Sequence, residues 1–199
     1  MTVTSQTSLD LLRIARQHLA ARGYHGTSLA GVAAELGLTK QALLHHFKSK
    51  DLLYHAVMGQ LKQQLLDLLF EAMEATEQAE LQLEGFFVSL CHCAVQDPTV
   101  AALLIRVLLE ESEPAAIEGA LPLQEVLEPL VALVQATAGW QQAGFAAALG
   151  LATELLGAVC LLPASQAGLS RRFGPAPIDE GLNQAVAHTG DLVRTRLLR

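Results

Sequence analysis

Apolar side chains recur every three to four positions along most of the chain, the spacing of helices that each bury one face, and no run shows the two-residue alternation of a strand. Leu29, Val32, Ala33 and Leu36 share one face of a helix that either Thr27 or Ser28 can cap by accepting a backbone N–H. Gly37 closes that helix, because glycine adopts the left-handed conformation of a helix end, and Thr39 is placed to cap the next. In the second helix Leu43, His46 and Phe47 share the inner face, whereas Lys40, Gln41, Leu44, His45 and Lys48 form an outer stripe. Ser49 then caps a third helix that begins at Lys50.

Beyond residue 50 the pattern predicts a linking helix to about Ala75, another over about Glu77 to Gln96, and a third opened by Asp97-Pro98. Pro114, Pro122 and Pro129 punctuate a less regular region. A long apolar helix is predicted from about Trp140 to Leu162, ending at Pro163. A Gly/Pro-containing loop with Arg171 and Arg172 then leads to a last helix capped by Asp179 and reaching about Leu198. The expected fold class is all-α: an N-terminal three-helix helix-turn-helix head (residues 1–50) and a C-terminal helical-bundle body (residues 51–199).

Composition agrees with this division. At 199 residues, 51% of them hydrophobic, the chain is long enough for a small head and a body with its own core, and too apolar to be disordered. The net charge of −7 hides an asymmetry: residues 1–60 hold Arg13, Arg16, Arg22, Lys40, Lys48 and Lys50 against only Asp10, Glu35 and Asp51, with five of the seven histidines. A basic head on an acidic body is the pattern expected of a separate nucleic-acid surface. The start MTVTSQTS has neither the basic region nor the apolar core of a secretory signal, and Cys91, Cys93 and Cys160 form no paired framework, so a cytoplasmic location is expected.

The stretch LLRIARQHLAARGYHGTSLAGVAAELGLTKQALLHHFKSKDLLYHAV resembles the DNA-binding domain of the tetracycline-repressor (TetR) family of bacterial regulators. The resemblance covers about the first 58 residues. It is carried by Ala15, Gly23-Tyr24, Thr27-Ser28, Val32-Ala33, Gly37, Thr39-Lys40, His46-Phe47 and Ser49-Lys50 in their joint order and spacing. The rest of the chain is similar to the family only in length and helical character.

By position, the resemblance implies that Thr27 and Ser28 meet phosphate at a helix start, that Lys40 and Gln41 probe the major groove, and that Lys50 anchors the DNA backbone. Thr39, Leu44, His45 and Lys48 complete the DNA-binding set, His45 being either a phosphate contact or a solvated side chain. Gln41 is the candidate for base discrimination, since its amide can bond an adenine edge twice. The chain departs from the family at Leu44, where a phosphate-contacting tyrosine is usual, and at Gln41, where glycine is frequent. Leu44 cannot donate a hydrogen bond but can touch a thymine methyl, so altered contacts are expected. His46 is expected to be a packed core residue.

In the body, Phe145, Leu149, Ala152, Leu156 and Val159 project to a bulky core face of the long helix, and Ala143, Ala147, Gly150, Glu154 and Gly157 to a flat one. With Leu182, Val186, Val193 and Leu197 of the last helix, the flat face is expected to form a four-helix homodimer interface. Two heads so paired can reach half-sites about 34–36 Å apart. The long helix approaches membrane-spanning length, yet Glu154 near its middle would cost about 2.5–3.5 kcal/mol and basic flanks are missing, so no membrane partner is expected. Glu154 is instead read as an interface hydrogen bond or ion pair, with Arg194 as a partner.

Arg106 is read as an i, i+4 partner of Glu110 or as part of an effector pocket; Phe87, His92 and Trp140 are the other effector candidates, though for each a place in the core is the simpler reading, as it is for Phe86. Cys91-His92-Cys93 does not suit a metal, because helical neighbours at i and i+2 point to different sides; no metal and no cofactor are expected. Glu71, Glu74, Glu77, Glu80 and Glu84 form an acidic series read as a solvated face.

Two classes of function remain. The first is a ligand-responsive regulator, a repressor that binds a palindromic double-stranded operator as a dimer and is released by a lipophilic small molecule. The alternative is a helical small-molecule carrier or enzyme with a vestigial head. Against catalysis, the chain has no CxxC, HExxH or glycine-rich phosphate loop and no nucleophile with an evident base.

Overall fold

The structure, a computed structural model, describes residues 6–109 and 123–198, and among them every regular element is a helix. The head consists of α1 (Gln6–Gly26), α2 (Leu29–Ala34) and α3 (Lys40–Phe47). Its core is built from Leu11, Ala15, Leu19, Val32, Ala33 and Leu43, the apolar side chains that each helix turns inward. The helical conformation of α1 is interrupted at Gly23, whose φ of 67° lies in the left-handed region. The cap between α1 and α2 is Ser28, which accepts from Gly31 N–H at 3.0 Å; Thr39 and Ser49 cap α3 and α4 in the same way. Gly37, at φ 66°, closes the turn between α2 and α3.

The body begins with α4 (Lys50–Ala75), a continuous helix whose first turns pack in the head and whose later turns pack on α5 (Ala79–Gln96). Helix α5 is the centre of the bundle, touching α4, α7, α8 and α9, and it buries Leu83, Phe86, Phe87 and Leu90 completely. Helix α6 (Pro98–Leu109) packs between α1 of the head and α8 (Phe145–Phe173). Helix α7 (Gln124–Ala136), a 3-10 turn at Ala138–Trp140 and α9 (Pro175–Leu197) complete the fold.

Three boundaries differ from those the proline pattern predicts. Helix α8 does not end at Pro163 but runs on to Phe173: the ring removes one N–H from the ladder, but Pro163 is buried and the flanking turns are held on α6, α7 and α9. Arg171 and Arg172 therefore occupy the last turn of a helix, not a loop. The chain reverses at Gly174, φ 84° and ψ 160°, a conformation almost confined to glycine, and Pro175 opens α9 ahead of Asp179. Pro129 likewise lies within α7. Pro114, Pro122 and Glu110, the expected partner of Arg106, lie outside the described residues.

The packing of α8 and α9 also redistributes side chains. Phe145, expected in the core, is 58% exposed at the start of α8, whereas Ala152, Leu156 and Val159 are buried as expected. Leu182, Val193 and Leu197 are buried within the chain, where they seal α9 to α5 and α8, and are thus unavailable to a second copy. Among the described residues one single helix, α8, is long and apolar enough to cross a membrane; in the fold it packs on α5, α6, α7 and α9.

Candidate nucleic-acid interface

A helix of eight residues has few side chains to spend, and α3 divides them between the head core and solvent. Leu43 is fully buried and Phe47 half-buried. Lys40, Gln41, His45 and Lys48 are exposed along one side, two of them in the N-terminal turn, the end of a recognition helix that reaches base edges. Lys48 ends α3 with a positive φ of 58°, its N–H donating to the Leu44 carbonyl, so its ammonium leaves from a fixed turn. Thr39 is exposed, and its hydroxyl oxygen accepts from Ala42 N–H at 3.2 Å.

Two residues of α3 sit differently from their sequence pattern. His46 is exposed, not buried, and its Nδ1 lies 3.0 Å from the Ser8 hydroxyl of α1. Leu44 is half-buried against the core, so it stands at the edge of the outer stripe and is not wholly free on it. In a helix with 100° between residues, positions 43, 44 and 47 fall within one broad arc, which allows the head to pull Leu44 partly inward.

At the start of α2 the Thr27-Ser28 pair separates into two roles. Thr27 is 3% exposed; its hydroxyl donates to the Gly23 carbonyl at 2.8 Å and its N–H to the Tyr24 carbonyl at 3.2 Å. Both of its donors are consumed in holding the α1–α2 turn, so a phosphate contact from Thr27 is not supported. Ser28 is exposed, and while its oxygen caps Gly31 its hydroxyl hydrogen remains able to donate outward.

Lys50 is half-buried, with Nζ 4.3 Å from the centre of the Tyr24 ring. The Tyr24 hydroxyl donates to Asp51, and the ring meets Tyr54 edge-on at 5.3 Å. The hydrogen bond to Asp51, then burial, then the Asp51 charge push the phenol up to about 12. Below the head surface, His18 is 5% exposed and its Nε2 lies 2.5 Å from Glu35 of the α2–α3 turn. These contacts fix the three helices relative to one another and to α4.

The four effector candidates do not converge. Phe87 is fully buried and Trp140 7% exposed, both in the body core. His92 is exposed on α5 in a shallow surface groove beside Cys93 and Gln96, contrary to the expectation of a buried histidine. Arg106 lies elsewhere, donating from Nη2 to the carbonyls of Ala20 and Ala21 in α1 at 3.3 and 3.4 Å. Cys91 and Cys160 are buried and burial pushes the Cys160 thiol up to about 12; half-buried Cys93, also raised by burial, accepts from Gln64 at 3.0 Å. Among the described residues, no three His, Cys, Asp or Glu side chains come together as a metal site.

Of the proposed interface set, Ala147, Gly150 and Glu154 are exposed along α8, and Ala143, Gly157 and Val186 are partly so. Glu154 pairs with Arg196 at 2.5 Å, not with Arg194, which binds Glu84 of α5 and Asp191. Glu80 and Glu84 are accordingly structural acceptors, from Ala138 N–H and Arg194, and not members of a purely solvated face.

The described residues thus form a helical body that carries a small head with a capped, basic helix-turn-helix. Residues 11–57, most of the head and the first turns of α4, match the pattern described as "Bacterial regulatory proteins, tetR family". It is similar to the HTH-type transcriptional regulator UidR of Escherichia coli strain K12, with 27% identity over 109 residues, 55% of this chain and 54% of that protein. The chain thus aligns over about half the length of the curated relatives it matches. Among solved structures its fold is similar to a TetR-like transcriptional regulator from Rhodococcus sp. RHA1, with TM-score 0.64, 20% identity and coverage of 96% of this chain and 93% of that one. It is also similar to the transcriptional regulator FadR from Bacillus subtilis in complex with stearoyl-CoA, with TM-score 0.62, 12% identity and coverage of 96% and 97%.

Proposed function

We propose that this protein is a DNA-binding transcriptional regulator that reads a palindromic operator as a homodimer, acts as a repressor, and is released by a small-molecule effector. The observation that carries the reading is the exposed stripe Lys40, Gln41, His45 and Lys48 on a helix held rigidly by the Thr39 cap, with Ser28 exposed nearby at the start of α2. Lysines and Ser28 position the head on phosphates, and Gln41 reads a base edge. Leu44, half-buried, is left with at most an apolar touch on a thymine methyl.

In this reading residues 1–50 are the DNA-binding part and 51–199 the effector-binding and dimerisation part. The flat stripe Ala143, Ala147, Gly150 and Gly157 admits close approach of a second copy, and Glu154–Arg196 borders it. A cytoplasmic location, with no membrane partner and no enzymatic activity, belongs to the same reading. A lipophilic effector is consistent with the stearoyl-CoA held by the Bacillus subtilis neighbour.

The test is an electrophoretic mobility shift with DNA from upstream of the protein's own gene, at low salt. A discrete shift that competes with unlabelled specific duplex is expected, and it should weaken steeply as salt rises, since each neutralised phosphate releases counterions. Failure to shift any such fragment at low salt would remove the reading.

A further inference from the structure

Among the described residues an unfilled space lies between head and body. Two grooves of about 450 and 500 Å³ run between α1, α6 and α8, and both are lined by Ala20, Ala102 and Ala164, which makes them two ends of one trough. Each end is of the size that holds a small ligand. Ile105, Leu109 and Leu161 wall the end that holds Arg106, and alanines, prolines and a few neutral polar side chains wall the other; among the described residues Arg106 is the one charged side chain lining either end. In a chain of net charge −7, an apolar trough with a single guanidinium is complementary to a molecule with an apolar chain and one negative charge.

Arg106 is suited to receive that charge. Among the described residues its hydrogen bonds run from Nη2 to the Ala20 and Ala21 carbonyls, at 3.3 and 3.4 Å, and use one of the guanidinium's three nitrogens. A carboxylate offers a shorter, charge-assisted, two-point contact than these neutral carbonyls. The same contact bears on the head, because Ala20 and Ala21 belong to the last turn of α1 before its helical conformation is interrupted at Gly23. Nη1 also lies 3.0 Å from the position a Cβ on Gly23 would take.

We infer that the trough between α1, α6 and α8 is a binding site for a medium-chain aliphatic monocarboxylate, whose carboxylate engages Arg106 and draws it from the α1 carbonyls. The apolar chain lies along Ala20, Ala102 and Ala164 towards Pro163. The inference rests on the regulatory reading only for its consequence: withdrawal of the Arg106 cap loosens the seat of the head on the body and shifts the population of head orientations.

Titration calorimetry on the full chain tests it with dodecanoate, and with dodecylamine as the same chain of opposite charge. Dodecanoate binding is expected, weakened by at least about tenfold in Ala164→Phe, which fills the trough, and in Arg106→Gln, which removes the cation; dodecylamine should not bind. Circular dichroism confirms that each variant folds, and Ala102→Leu serves as a second trough-filling variant if either does not. The site is overturned if neither octanoate nor dodecanoate binds, if the amine binds as well, or if folded trough-filled variants bind dodecanoate unchanged. Should the protein shift no DNA yet bind dodecanoate in this variant-dependent way, the regulatory reading fails and the site stands.

Discussion

Arg16 of α1 donates from Nη2 to Gln64 Oε1 of α4 at 3.1 Å, so a head residue is fixed to the middle of the first body helix. The same guanidinium donates from Nε to the Thr99 hydroxyl at 3.0 Å and lies 3.4 Å from Asp97, at the start of α6. Gln64 in turn donates to Cys93 of α5. One half-buried arginine thereby ties the head to three body helices, and Arg106 returns the connection from α6 to α1.

Arg16→Ala is expected to destabilise the protein by about 1–3 kcal/mol, the range for hydrogen bonds to a charged group whose partners are left partly buried. Urea denaturation measures this. A loss smaller than a few tenths of a kcal/mol would show that the network is solvated in practice.

Gln41→Ala should relax discrimination at one base pair by about 1–3 kcal/mol, whereas Lys40→Ala should weaken binding to all sequences and lower the salt slope by about one unit. Competition shifts against single-base operator variants, run over a salt series, separate the two effects. Equal loss across all base variants for Gln41→Ala would reassign it to the DNA backbone.

Tyr24 links stability to alkaline pH. Its phenol titrates near 10 when unfolded and is pushed up to about 12 in the fold by donating to Asp51, so the folded state retains a proton that the unfolded state has lost. Stability from this contact is fully present below pH 10 and declines from pH 10 to about 12. Tyr24→Phe should remove that decline and lower stability at neutral pH by about 0.5–1.5 kcal/mol, as read by thermal melts across pH.

Gly150 is exposed on α8, with open space where a Cβ would stand. Gly150→Leu should therefore leave the single chain folded by circular dichroism while holding a second copy's helix away. Sedimentation velocity is expected to show the wild type as a dimer and the variant displaced towards monomer; an unchanged dimer would place the interface elsewhere.

At Gly23, φ 67° and the nearby Arg106 both oppose a side chain. Gly23→Ala is expected to cost about 1–2 kcal/mol from the left-handed backbone alone. Gly59→Ala, in the middle of α4 with open space at its Cβ position, is the control and should be neutral or stabilising.

How much was legible in the sequence follows the range of each interaction. The caps at Thr39 and Ser49 act over three residues, and Gly37 acts on its own backbone, so the pattern of residues contains them outright. Arg106 was legible as a polar residue in an apolar helix but not as a cap on α1, because its acceptors lie 85 and 86 residues away and are main-chain atoms with no residue signature. Arg194 and Arg196 both lie within the sequence's reach of Glu154, and the fold pairs it with Arg196. Residues two apart on a helix face nearly opposite ways, about 200° round the axis, so the partner of Glu154 depends on which face of α9 meets α8, and that is set by packing.

The sequence alone determined what local chemistry can determine: the all-helical class, the helix-turn-helix with its caps, the basic outer stripe of α3 and the resemblance to one family. Tertiary packing decided which face each helix finally buried. It drew Thr27 and part of Leu44 inward, released His46, Phe145 and His92 to solvent, carried α8 through Pro163, and placed Arg106 over α1. The physical reason is that helical periodicity defines a face without naming its neighbour, and the burial of that face is a free-energy choice among neighbours far apart in the chain.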